Sequence, residues 1–108
     1  MNADVPQLSR GEFSLLILGL IGKRDMYGYE IVATLREITA GTIDLPEGTI
    51  YPALRRLERD GLIEGYWVDQ EAGPRRRYYR LTAEGQRALA AGRDDWRRFK
   101  SAADAVLG

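Results

Sequence analysis

The spacing of hydrophobic positions shifts along the chain, and each shift marks a new element. Ser9-x-x-Glu12 opens a first helix as a capping box, the Ser hydroxyl accepting from the Glu12 amide while the carboxylate reaches back. Residues 13–21 are then apolar on most faces and are closed by Gly22, which predicts a helix sandwiched between neighbours. A charged turn at residues 23–25 leads to a second helix from about Tyr27. Its Ile31, Leu35 and Ile38 recur at i, i+4 and i+7, and Gly41 suits a left-handed stop. Pro46 starts a third helix, where its fixed φ is pre-organised, and Ile50, Leu54 and Leu57 form the inward stripe. Pro52 removes a backbone bond inside that helix, which predicts a loose first turn or a regular helix starting nearer Gly48. Gly61 ends it.

The period then falls to two. Ile63, Gly65 and Trp67 share one side of a strand over residues 62–70, with Tyr66 and Val68 on the other. Turn chemistry fills residues 71–75, and residues 77–81 form the return strand. Thr82 caps a final helix, with Glu84 at the positive end of its dipole. In that helix Leu89, Gly92, Trp96, Phe99, Ala103 and Val106 are spaced 3, 4, 3, 4, 3, a heptad seam. Three helices, a two-stranded ribbon and a long helix make a mainly helical α+β chain with the winged helix-turn-helix arrangement. The expected organisation is a DNA-binding unit over residues 1–81 and a C-terminal dimerisation helix over residues 82–108, both parts of one structural unit.

Composition narrows the chemistry. With 108 residues the chain fits a single domain, and its 44% hydrophobic and 30% charged content is that of a globular protein. There is no cysteine and no histidine, which excludes disulfides, thiolate or imidazole metal sites, cysteine nucleophiles and histidine-based triads. Phosphate-binding and dinucleotide-binding glycine loops are missing, and adjacent carboxylates such as Asp94 and Asp95 point to different helix faces, so neither catalysis nor a cofactor is expected. The longest apolar run, residues 15–21, is about a third of a membrane span. A cytoplasmic protein without membrane contact is the expectation.

The net charge is zero, yet it is unevenly laid out. Residues 1–54 hold four basic and seven acidic side chains, whereas residues 55–80 hold seven and five. Local basic patches steer phosphate even when the total is neutral. On the third helix Thr49, Tyr51, Pro52, Arg55, Arg56 and Arg59 lie opposite the apolar stripe or on its shoulders, and arginine pairs bidentately with guanine or fixes phosphates. A solvated helix face is the plain alternative; the position on the third of three helices before a hairpin favours DNA. Arg75, Arg76 and Arg77 crowd the hairpin tip, where guanidiniums lie along the DNA backbone or enter a minor groove. The competing role is a charged edge that blocks strand pairing. A winged helix that binds protein in place of DNA is the other functional class, and the charge-rich helix face argues against it. Trp96 and Phe99 are large apolar groups beyond the needs of a small core, which predicts a twofold homodimer through Leu89, Trp96, Phe99, Ala103 and Val106.

Three stretches carry a resemblance: Gly28-Tyr29-Glu30; Pro46-x-Gly48-Thr49-Ile50-Tyr51-Pro52-x-Leu54-x-Arg56-Leu57-Glu58-x-x-Gly61-Leu62-Ile63; and Arg76-x-Tyr78-Tyr79-x-Leu81-Thr82-x-x-Gly85. Over roughly residues 8–90 the chain resembles the PadR family of bacterial transcriptional regulators, and its single further helix is similar to the short subfamily. The resemblance implies a dimeric winged-helix repressor. It places recognition-helix contacts at Thr49, Tyr51, Pro52 and Arg55 and wing contacts at Arg75 and Arg76. It also implies a planar aromatic effector held between two C-terminal helices against a tryptophan, the position of Trp96.

Overall fold

The structure, a computed structural model, describes residues 8–108; the first seven residues of the expected 1–81 unit lie outside it. In chain order the elements are α1 (Arg10–Ile21), β1 (Met26–Tyr27), α2 (Gly28–Ile38), α3 (Glu47–Arg59), β2 (Ile63–Val68), β3 (Arg76–Leu81) and α4 (Ala83–Leu107). The winged-helix order read from the sequence is present. At the start of α1 the Ser9 hydroxyl accepts from the Glu12 N–H at 3.1 Å, and Glu12 accepts from the Ser9 N–H at 3.0 Å. Hydrogen bonding to the carboxylate, from the Ser9 backbone first and its side chain second, holds the Glu12 carboxyl below the usual carboxylate range. α1 is enclosed by α2, α4 and β3, and Ile17, Leu18, Leu20 and Ile21 are buried, as an all-round apolar helix requires.

The sheet has three strands, not two. Met26 pairs with Tyr79 and Tyr27 with Tyr78, which places β1 beside β3 in the order β1-β3-β2. Two residues are too few to display an alternating pattern, and their partner lies some fifty positions away, so nothing local announces them. In α2, Ile31 and Leu35 are buried but Ile38 is 60% exposed, so the expected stripe ends one turn early. The stop is as expected: Gly41 has φ +80°, and its N–H reaches the Arg36 carbonyl at 2.8 Å.

α3 departs from its sequence reading at Pro46. Pro46 is the N-cap, with extended ψ, and the first helical residue is Glu47. Pro52 lies inside a helix that starts at Glu47, next to Gly48, and continues unbroken to Arg59. Pro52 is exposed, so its ring meets solvent, and the lost bond is tolerated because Ile50, Ala53, Leu54 and Leu57 anchor the opposite face in the core.

β2 and β3 pair from Ile63–Leu81 at the helical end to Val68–Arg76 at the tip. α4 starts on the corner between α3 and β2. The Thr82 hydroxyl accepts from the Gly85 N–H at 3.0 Å and donates to the Gly61 carbonyl at 2.6 Å. Gly85 is pressed so closely to that corner that a Cβ would fall 1.9 Å from the Leu62 carbonyl oxygen. Leu89 packs on the core, and Gly92 admits the Leu15 side chain. No helix among the described residues is long and apolar enough to cross a membrane.

Two glycines within helices therefore have opposite expectations. Gly85→Ala should destabilise by about 1–3 kcal/mol, because a backbone carbonyl cannot move aside as a side chain can. Gly19 has nothing within 4 Å of its added Cβ, so Gly19→Ala should be neutral or stabilise by up to about 1 kcal/mol. Thermal midpoints check this, at about 4–8 °C per kcal/mol for a domain of this size. Equal midpoints for the two variants would contradict the packing described.

Candidate nucleic-acid interface

The outer face of α3 is set by what its inner face buries. With Ile50, Ala53, Leu54 and Leu57 inward, steps of 100° leave Thr49, Tyr51, Pro52, Arg55 and Arg59 exposed and Arg56 half-buried on the shoulder. Tyr51 leans toward the start of α2. Its ring occupies the space where a Cβ on Gly28 would sit, 2.6 Å from Cε1, so only glycine at that position permits the approach.

The wing places its arginines on aromatic rings. Arg75 lies 4.7 Å from the Trp67 ring centre and Arg76 4.5 Å from that of Tyr27, contacts that orient the stems while leaving the guanidiniums exposed. Tyr51 from α3 and Arg75, Arg76, Trp67 and Tyr27 from the sheet border one groove of about 380 Å³. Helix and wing thus share a surface, with Arg55, Arg56 and Arg59 farther along α3. Arg77 departs from the other two wing arginines: its Nη2 donates to Glu58 Oε2 at 2.9 Å, and it is half-buried.

Electrostatics separate this surface from the rest. Nine of the 16 basic side chains sit within 4 Å of a carboxylate, including Arg87, Arg97, Arg98 and Lys100 along α4. Seven have no carboxylate partner among the described residues, and four of those are Arg55, Arg56, Arg75 and Arg76. Arg59 lies 3.8 Å from Asp60, a loose pair at the end of the helix. Elsewhere on the sheet Tyr78 stacks on Tyr66 and meets the Tyr27 ring edge-on, and Tyr66 donates to Asp25. That bond pushes the Tyr66 phenol above its usual range, and burial does the same to Tyr79, so both rings stay neutral.

The residues expected at a second, dimer and effector surface are divided by the fold. Leu89 joins the core, whereas Trp96 is 46%, Phe99 64% and Val106 83% exposed, and Ala103 is half-buried. The Trp96 and Phe99 rings lie 6.0 Å apart. Trp96 borders an apolar recess of about 290 Å³ with Leu15, Leu16 and Leu89, rimmed by Lys23 and Arg93.

Sequence reasoning missed Trp67, Tyr27, Gly28 and Glu58. Alternation alone places Trp67 opposite Arg77 once the hairpin register is fixed, so that signal was present; Glu58 and Tyr27 act through contacts distant in sequence.

The profile of the transcriptional regulator PadR-like family matches residues 17–91. A transcriptional regulator from Clostridium thermocellum is similar in structure at a TM-score of 0.83 and 33% identity, the match covering 92% of this chain and 96% of that one. A PadR family transcription regulator from Clostridium difficile is 40% identical, with a TM-score of 0.78 over 88% of this chain and 97% of that one. Bacillus subtilis PadR, solved in complex with operator DNA, has a TM-score of 0.67 and 28% identity over 78% of this chain and 45% of that longer one. On the matching profile and the shared winged-helix architecture, the chain belongs to the PadR-like family of transcriptional regulators.

Proposed function

We propose that the protein is a DNA-binding repressor that works as a homodimer on an inverted repeat. Each protomer lays α3 in a major groove, with Thr49, Tyr51, Pro52, Arg55 and Arg56 toward bases and phosphates, and sets Arg75 and Arg76 on the neighbouring backbone. The observation that carries this reading is the pooling of arginines without carboxylate partners on α3 and the wing, in a chain whose other cations are mostly paired. The operator complex of the similar Bacillus subtilis protein supports the choice of partner. Lone cations cost nothing in water and gain by releasing counterions from DNA.

The dimer forms through the exposed apolar length of α4, and a planar aromatic effector stacks on Trp96. Such a ligand regulates only if it binds one arrangement of the two protomers more tightly than the other.

If about six phosphates are neutralised per dimer, log affinity falls with log salt at a slope near −5. Arg55→Ala should cost about 1–3 kcal/mol on a cognate duplex and relax its sequence preference. Replacing Arg75 and Arg76 together should weaken all sequences alike and flatten the slope by about two per protomer. Titrations at several salt concentrations check this, and a slope near zero contradicts it. For the effector, planar aromatic compounds should quench Trp96 emission and change duplex affinity in a Trp67→Phe background; no quenching with unchanged affinity contradicts that part.

A further inference from the structure

We infer that Glu58 and Arg77 are positioning residues that fix the angle between α3 and the wing, with Gly65 as the seat of their contact. The inference rests on the DNA-binding reading above and assigns Arg77 to the protein's own geometry instead of to phosphate. Glu58 Oε2 accepts two hydrogen bonds from two strands: from the Gly65 N–H of β2 at 3.0 Å and from Arg77 Nη2 of β3 at 2.9 Å. One carboxylate on α3 thereby fastens both strands of the hairpin. The guanidinium lies across Gly65, where a Cβ would fall 2.6 Å from Arg77 Nε and 2.7 Å from Nη2. Rings flank it, with centres at 5.3 Å for Trp67 and 5.8 Å for Tyr79. Trp67 in turn carries Arg75. A continuous line of contacts therefore runs from α3 through Glu58, Arg77 and Trp67 to a guanidinium at the hairpin tip.

The Glu58 and Arg77 side chains each keep about a third of their surface in water (33% and 32%), so the pair adds little stability. Its value is orientation, since a planar fork bound to a carboxylate has a defined direction. Charge and position make opposite demands at Glu58. A carboxylate on a helix that enters an anionic groove weakens binding by charge alone, so its removal should tighten the complex. As a positioning residue its removal should loosen it.

The experiment measures affinity and salt slope on a duplex selected from random sequence by the wild-type protein. It compares Glu58→Ala, Glu58→Gln, Gly65→Ala and Arg77→Lys, with hydrogen exchange at residue 65 followed without DNA. Glu58→Ala and Gly65→Ala should each weaken binding about tenfold, the scale of one charge-assisted bond, and flatten the salt slope although neither removes a cation. Glu58→Gln, whose amide oxygen still accepts both N–H groups, should stay within about threefold of wild type. Arg77→Lys keeps the charge and loses the fork, and should behave like Gly65→Ala. Gly65 has no positive φ, so alanine fits the backbone and the thermal midpoint should hold, which keeps the loss of binding apart from a folding defect. The clamp is overturned if Glu58→Ala binds as tightly as wild type or tighter, or if Arg77→Lys and Gly65→Ala bind normally. Exchange of the Gly65 amide should quicken in Glu58→Ala and not in Glu58→Gln; equal rates overturn the clamp too. Wild type without salt-dependent affinity overturns the DNA reading instead, and the exchange rates then decide the clamp by themselves.

Discussion

Everything on the candidate surface depends on how firmly one face of α3 is buried. Ile50, Ala53, Leu54 and Leu57 are held in the core with α1, α2 and the sheet, and each large apolar side chain so buried is worth about 1.5–3 kcal/mol. A helix anchored on one side has no rotational freedom left. Arg55 must then face solvent, and Pro52 can sit in the same helix without breaking it, because the core holds the turn that its missing N–H does not. The same burial turns Tyr51 toward Gly28 and brings α3 against the hairpin, where Glu58 meets Gly65 and Arg77.

A neutral chain can still present a basic surface, and the structure does so by uneven pairing. Along α4 cations find carboxylates three or four residues away, a spacing that neutralises the rod at little cost. On α3 and in and beside the sheet, three of the acidic residues are already engaged by other partners. Glu58 is taken by Arg77, Glu64 by Arg80 and Asp25 by Tyr66. Arg55, Arg56, Arg75 and Arg76 are left without a carboxylate partner among the described residues, two of them steadied by aromatic rings. Aromatic support restricts long side chains without covering their charge, which lowers the ordering cost of any contact they make.

Much of the fold was legible because its signals are local. The Ser9–Glu12 capping box, the left-handed stop at Gly41 and the Thr82 cap stand where the sequence places them. What was not legible depends on partners far along the chain. β1 exists only because Met26 and Tyr27 find β3. In the run Arg75-Arg76-Arg77 three identical side chains look alike, yet strand alternation turns Arg77 inward to a carboxylate nineteen positions earlier. The heptad seam was equally uniform on paper, but α1 claims Leu89 and leaves Trp96 and Phe99 to solvent. Periodicity names a face; packing decides how far along the helix that face is buried.

The central claim is that the two arginine clusters address one duplex from a twofold pair of protomers. Sequencing the fragments that purified protein retains from a random DNA pool tests it most directly. The account predicts an inverted repeat whose half-site centres lie about 10 or 20 base pairs apart, one or two helical turns. Recovery of no enriched sequence, or of a single unrepeated half-site, contradicts it.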